Sequence, residues 1–319
     1  MSNQWTEANM PDQTGRRAII TGANSGIGFP AALELARRGA DVVIASRDAA
    51  RGQTAVARIR QTVPQASVSF SELDLASLAS VRVFAERELA RSVPLDLLIN
   101  NAGVMAPPRR LETRDGFELQ FGTNVLGHFA LTAFLLPALE RAAASTSKQN
   151  PRVVTIASIA HKRGAIRFTD LQYHGGYSPM KAYGQSKLAG LMLAFELDRR
   201  LRGGGNTTSR ILSVAAHPGV ANTNLFQVGN YGRAQAAVRR LAGHAIGLFL
   251  NSDVEGALPT LFAATAPEAK SGGYYGPQGL GEMRGGDVGP AKIAEQARDT
   301  TAAARLWKIC EDLTGTHMP

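Results

Sequence analysis

The feature that most constrains this chain is a rhythm: short runs rich in β-branched residues, each followed by a stretch long enough for a helix. Arg17 to Thr21, Asp41 to Ser46, Val68 to Leu73, Leu95 to Asn100, Arg152 to Ala157 and Ile211 to Ala216 read as strands. Gly26 to Arg38, Ala49 to Gln61, Leu78 to Arg91, Phe117 to Ala143 and Pro179 to Leu201 read as helices between them. Each is long enough for a right-handed crossover, which joins parallel strands. The expected fold class is therefore α/β, a doubly wound parallel sheet. Loop signals fall at Ser145 to Pro151 and at Arg202 to Ser209, and no repeat or linker divides the chain. A single domain over residues 16–319 is expected, behind an N-terminal extension of residues 1–15. From Asn224 to Ser252 the pattern changes, with Arg233, Arg239 and Arg240 and no acidic residue; this reads as a substrate lid at about 224–252. Asp253 to Ala264 resumes a helix, and Gly273 to Tyr275 reads as a last strand.

Composition narrows the function classes. With 44% hydrophobic and 19% charged residues the chain buries a core, which excludes disordered and fibrous proteins. The single cysteine, Cys310, excludes an intrachain disulfide and any multi-thiolate zinc site. The six histidines show no ligand spacing, so no metal is expected. A net charge of +9 raises nucleic acid, anionic lipid or phosphorylated ligands as partners. No basic, aromatic-interleaved patch supports nucleic acid. The first sixteen residues hold no apolar stretch, and the apolar run Leu188 to Phe195 is too short to span a bilayer. A soluble, cytoplasmic protein is the expectation.

The first strand runs into Thr21-Gly22-Ala23-Asn24-Ser25-Gly26-Ile27-Gly28, a glycine-rich turn opening a helix. Such a turn lets the backbone approach a pyrophosphate, and the free N–H groups and dipole of the helix N-terminus favour the anion. Pro30 is tolerated if it lies in the opening turn of that helix. In dinucleotide folds a residue about twenty positions further on, at the end of the second strand, reads the adenosine ribose. Here that strand ends Ala45-Ser46-Arg47 with no carboxylate. Ser46 and Arg47 suit a 2′-phosphate through charge-assisted bonds, so NADP is expected over NAD.

Two Tyr-x-x-x-Lys pairs occur, Tyr177 with Lys181 and Tyr183 with Lys187. Six tyrosines and seven lysines would give about 0.13 such pairs by chance. Ser178 and Pro179 suit an N-cap and first helical residue, which leaves Tyr177 outside the helix. Tyr183 and Lys187 lie one turn apart on one face. An ammonium beside a phenol favours the phenolate and draws the tyrosine pKa down from about 10, toward acid/base use.

The ordered set Thr21-Gly22-x-x-x-Gly26-Ile27-Gly28, Asp74-Leu75, Asn100-Asn101-Ala102-Gly103, Asn124, Ser158, Tyr183-x-x-x-Lys187 and Pro218-Gly219 with Thr223 resembles the short-chain dehydrogenase/reductase family, over about Arg16 to Gly276. Thr123 to Phe129, Ser158-Ile159-Ala160-His161 and the 25-residue gap from Ser158 to Tyr183 look like its retinol dehydrogenase and WW-domain oxidoreductase branch. Ala157 and Ala221 depart from residues common in the family. The resemblance implies a Rossmann-fold oxidoreductase moving hydride between NADP and a carbonyl or alcohol carbon. It implies that Tyr183 is the acid/base, that Lys187 lowers its pKa and binds nicotinamide ribose, that Ser158 bonds the substrate oxygen, and that Asn124 holds a relay water. By the same resemblance Asp74 and Leu75 contact adenine, Asn101, Ala102 and Gly103 border the cofactor, and Pro218, Gly219 and Thr223 meet the nicotinamide.

A lid helix with Val238, Leu241, Ala245 and Leu248 on one face suits a bulky hydrophobic substrate, and its basic face a weak membrane-surface contact. Relatives pair through the long helices, so a homo-oligomer is a further expectation. The rival reading is a non-catalytic NADP(H) sensor or scaffold of the same fold.

Overall fold

The computed structural model describes residues 4–145, 149–203, 210–220, 251–285 and 287–318. Strands β1 (Arg17–Thr21), β2 (Asp41–Ser46), β3 (Val68–Glu72), β4 (Leu97–Asn100), β5 (Arg152–Ile156), β6 (Leu212–Ala216), β7 (Tyr274–Pro277) and β8 (Val288–Pro290) form one sheet. Its order is β3-β2-β1-β4-β5-β6-β7-β8, parallel except for the last pair. The helices are α1 (Gly28–Arg37), α2 (Ala49–Thr62), α3 (Leu78–Ala90), α4 (Leu119–Phe121), α5 (Gly127–Ala144), α6 (Pro179–Gly203), α7 (Asp253–Thr265) and α8 (Thr300–Thr314).

Both faces of the sheet are buried, and the strand alternation shows it. Ile19, Val43, Leu98, Val153 and Ala215 face one core, with Phe84, Phe129 and Leu191 from α3, α5 and α6. Ala18, Ile20, Val42, Ile44, Ile99 and Val214 face the other, with Leu35 and Phe262 from α1 and α7. A strand buried on both faces needs apolar residues at nearly every position, which is why these runs stand out in the sequence. Each such Leu, Ile or Phe contributes roughly 1.5–3 kcal/mol on burial.

The structure departs from the sequence reading in places with local causes. Helix α1 begins at Gly28 instead of Gly26, because Gly26 has φ +55°, a left-handed conformation outside the helix. Pro30 therefore falls in the opening turn. The single helix read from Phe117 is instead α4, a π turn over Gly122–Leu126, and α5. Together they span Leu119–Ala144, apolar and long enough for a membrane, but 83% of the most apolar stretch is buried inside the fold.

The sequence reading places no element after Tyr275, whereas the structure adds β8 and α8. Helix α8 is capped by Asp299, whose side chain accepts from the Ala302 amide, and ends at Gly315 with φ +64°. Its Trp307 packs edge-on against Phe129, 5.0 Å between ring centres, beneath the Arg200 guanidinium. It thus occupies part of the α5 and α6 surface through which chains were expected to pair. The residues before β1 pack on the domain, with Met10 and Gln13 buried and Trp5 edge-on to Phe262. Thr223 and residues 224–250 of the expected lid lie outside the described residues. Of that range, Asn251 donates to the Pro218 carbonyl and Ser252 caps α7.

Candidate active site

The chain reverses its direction across the sheet between β1 and β4, and the crevice beyond their carboxyl ends is where such sheets bind nucleotides. The expected residues gather along this edge: Gly22 to Gly28 after β1, Ser46 and Arg47 at the end of β2, Asp74 and Leu75 after β3, Asn101 to Gly103 after β4. Ser158 follows β5, and Pro218 and Gly219 follow β6.

The glycine turn is held by the loop after β4. Thr21 Oγ1 accepts from the Asn101 and Ala102 amides, each at 2.9 Å, and Asn101 Nδ2 donates to the Thr21 carbonyl at 2.8 Å. A Cβ on Gly28 would lie 2.5 Å from Asn101 Nδ2, and one on Gly22 would lie 2.9 Å from the Ala102 methyl. Glycine is therefore required for packing as well as for approach of a ligand. Asn24 and Ser25 stay half-buried at the turn's rim, and Ile27 is buried beneath it.

Ser46 is 7% exposed and its Oγ has no hydrogen-bond partner among the described residues, while Arg47 beside it is exposed. Asn101 Oδ1 is likewise buried and unpartnered. A buried polar atom left unpaired costs about 1–3 kcal/mol unless a ligand meets it. These groups fit a nucleotide: the turn for a pyrophosphate, Ser46 and Arg47 for the adenosine ribose end. Asp74 accepts from the Ala76 amide at 3.0 Å, and its other carboxylate oxygen lies 3.9 Å from Arg114 Nε.

Ser158, in extended backbone, caps the 3-10 turn Ile159–Arg163, its Oγ accepting from the Ala160 amide at 3.2 Å. Its hydroxyl is near enough to the Tyr183 phenol to draw that group's pKa down. On α6, Tyr183 and Lys187 are buried, and Lys187 Nζ donates to the Ile156 carbonyl at 2.8 Å. The two tyrosines are separated as expected from Pro179. Tyr177 lies before the helix and its hydroxyl accepts from Gln120 Nε2 at 2.9 Å, while Lys181 is exposed.

The titration of the pair differs from the expectation that lysine lowers the phenol. Lys187 Nζ is 5.9 Å from the Tyr183 ring centre, and burial is the largest influence on both groups. Burial pushes Tyr183 up to about 12, the Ser158 hydroxyl opposing it, and burial pushes Lys187 down to about 8. The protein alone thus holds Tyr183 as a neutral proton donor, suited to protonating a carbonyl oxygen. A phenolate here needs further positive charge in the site.

Asn124 sits in the π turn with its side chain fully engaged. Oδ1 accepts from the Val104 amide at 2.8 Å, and Nδ2 donates to the Val104 carbonyl and to Ser186 Oγ, each at 3.0 Å. It staples the loop after β4 to α6. Its carbonyl meets His128 Nδ1 at 3.1 Å, and His128 Nε2 lies 2.9 Å from Thr21 Oγ1, which ties the π turn to the glycine turn. Gly219 has φ +71°, and its amide donates to His217 Nδ1 at 3.2 Å.

The sequence reading missed several supporting residues. Gln120, fully buried, accepts from the Ala106 amide and donates to Tyr177 and to the Pro179 carbonyl. His128 and His161 lie inside motifs already singled out, whereas nothing in the sequence marks Gln120.

Sheet, glycine turn and Ser-Tyr-Lys set define a nicotinamide-dependent oxidoreductase. The short chain dehydrogenase model matches residues 16–233. Mouse polyprenol dehydrogenase is 43% identical over 96% of this chain and 86% of its own length. Human retinol dehydrogenase 14 is 38% identical over 94% and 87%. A crystal structure of an uncharacterized Mycobacterium paratuberculosis protein is 39% identical, with a TM-score of 0.77 over 99% of this chain and 100% of that one. Pseudomonas aeruginosa RhlG, solved as an NADP active-site complex, is 25% identical, with a TM-score of 0.63 over 82% of this chain and 94% of that one. The chain belongs to the short-chain dehydrogenase/reductase family, in its retinol dehydrogenase-like branch.

Proposed function

We propose that this protein is an NADP(H)-dependent alcohol dehydrogenase or carbonyl reductase for a bulky hydrophobic substrate, with Tyr183 as acid/base. The observation that carries this reading is the gathering of Ser158, Tyr183 and Lys187 at one edge of the sheet, with Tyr183 and Lys187 buried one helical turn apart and the Ser158 hydroxyl near enough to draw the phenol's pKa down against burial. Two hydroxyls then converge on the place where a carbonyl oxygen would develop charge. NADP supplies the hydride acceptor or donor when bound. The chain's own residues hold it through the glycine turn, Ser46 and Arg47, Asp74 and Leu75, Asn101 to Gly103, Lys187, Pro218 and Gly219. Thr223 is proposed for the nicotinamide amide, and Asn124 for a place in the proton path.

Polyprenol and retinol, named in the relatives, are long apolar alcohols. Exposed apolar side chains near the site suit that class. Met180 lies in the first turn of α6, and Met283, whose carbonyl accepts from the Val220 amide, lies beside Gly219. A steady-state screen with NADPH and NADH against retinal and p-nitrobenzaldehyde tests the reading. Turnover should favour NADPH and retinal, Tyr183→Phe should abolish it while sparing NADPH binding, and Tyr177→Phe should stay within severalfold. Activity surviving Tyr183→Phe removes the acid/base assignment. A wild type that binds NADPH but turns over neither carbonyl favours the sensor reading.

A further inference from the structure

Behind Ser158, on the side away from the glycine turn, lies a buried polar cluster that the chemistry above does not use: His161, His217, Tyr274, Glu282 and Lys162. His161 is fully buried. Its Nδ1 lies 2.7 Å from the Ser158 carbonyl oxygen, and the Ala294 amide donates to its Nε2 at 3.3 Å. A carbonyl only accepts and an amide N–H only donates, so the two partners assign the neutral tautomer with the proton on Nδ1. The His161 amide donates to the same Ser158 carbonyl at 3.0 Å.

The residues that hold this imidazole come from the far end of the chain. Gln296 Nε2 donates to the Lys162 and Gly164 carbonyls, each at 3.2 Å, which clamps the turn after Ser158 to the segment following β8. The Tyr274 ring packs edge-on to His161 at 5.3 Å, with its hydroxyl 3.4 Å from Nδ1. Lys162 pairs with Glu282 at 2.6 Å, and Glu282 also accepts from the Lys292 amide at 2.7 Å. Glu282 keeps a left-handed backbone, φ +59°, to do so. Lys162 and Glu282 therefore neutralise each other, and the imidazole's own contacts are to the Ser158 carbonyl, the Ala294 amide and the Tyr274 hydroxyl.

We propose that His161 is a positioning residue for Ser158, coupling the C-terminal segment at Ala294 to the serine that meets the substrate oxygen. The inference rests on the catalytic reading of Ser158. Ser158 follows β5, and its carbonyl is fixed by the His161 amide, the first bond of the 3-10 turn, and by the imidazole. Losing the imidazole leaves the Ser158 carbonyl with the His161 amide alone, so that only this bond and the Ala160 amide's bond to Oγ set the hydroxyl's place beside Tyr183. Sub-ångström displacement of a reacting group costs rate far more than binding.

The test is a cycle of Ser158→Ala, His161→Gln and the double variant, with His161→Asn as the conservative substitution. An asparagine amide reproduces the Nδ1–H donor, whereas a glutamine amide reaches the Nε2 position and loses it. Probes are NADPH with retinal and with p-nitrobenzaldehyde, followed in single turnover, alongside NADPH titration. His161→Gln should lower kcat about 10- to 100-fold with NADPH affinity within twofold, and His161→Asn should recover most of it. In the Ser158→Ala background His161→Gln should cost little more, because the histidine acts through the serine. A His161→Gln enzyme with wild-type kcat, or a loss just as large when Ser158 is already absent, overturns the proposal. If Ser158→Ala turns over like the wild type, the catalytic reading itself falls and His161 with it. An impaired Ser158→Ala beside a normal His161→Gln sinks only the coupling.

Discussion

Ser46→Ala separates a cofactor hydroxyl from a structural one. In the protein alone Ser46 Oγ is buried without a partner among the described residues, a state that costs about 1–3 kcal/mol. Removing the hydroxyl relieves that cost, so the variant without cofactor should be more stable by about 1 kcal/mol, or about 2 °C in Tm. Binding should respond in the opposite sense. A hydrogen bond to a phosphate contributes about 1.5–3 kcal/mol, so NADPH affinity should fall roughly 10- to 150-fold. NADH offers only a neutral hydroxyl there, worth about 1 kcal/mol, and should lose about fivefold. Arg47→Ala is a useful partner: the guanidinium is exposed and screened, so its loss should be nearer tenfold for NADPH and should shrink as salt rises. Thermal unfolding without cofactor and fluorescence titration with both cofactors give the four numbers. A Ser46→Ala protein that is less stable and binds NADPH as the wild type does would show that Ser46 serves packing and that the 2′-phosphate is read elsewhere.

Three further outcomes follow from the buried groups. Burial pushes His128 and His217 down to about 4, so the unfolded chain binds more protons than the native one below about pH 6.5. Their stability contribution is complete above that pH and is lost as pH falls toward 4, roughly 3 kcal/mol for each. Urea unfolding at pH 7 and 4.5 should show this loss shrinking in His128→Gln and His217→Gln; identical slopes in all three proteins would contradict it. Gly28→Ala drives a methyl to 2.5 Å from Asn101 Nδ2 and 2.9 Å from the Ala23 Cα, so the turn must shift. NADPH titration should show at least a tenfold loss, and unchanged affinity would mean the turn does not carry the pyrophosphate. Trp307→Ala should destabilise the protein by about 3–5 kcal/mol in chemical unfolding, because α8 would lose its contact with Phe129 and Arg200. A change under about 1 kcal/mol would mean that α8 docks by other contacts.

The amino-acid sequence alone determined whatever is set within one element. Arg17–Thr21 and Asp41–Ser46 are legible as strands because both their faces are buried, which demands apolar residues at successive positions. The glycine turn is legible because strand, turn and helix are contiguous, and Tyr183 is told from Tyr177 because Pro179 starts a helix between them. Helix α8 is a partial case: Asp299, Gly315 and the spacing of Ala303, Leu306, Trp307 and Cys310 are local signals, but its docking on α5 and α6 is not. Only the tertiary structure decided that the Asn124 side chain joins the loop after β4 to α6, and that burial raises the Tyr183 pKa. Only it brought Ala294 to His161, 133 positions earlier. Backbone geometry fixes the spacing of residues on one helix or strand, so a pattern can reveal it. No spacing rule links residues that meet across a sheet, and a side chain's pKa depends on the water that those distant neighbours exclude.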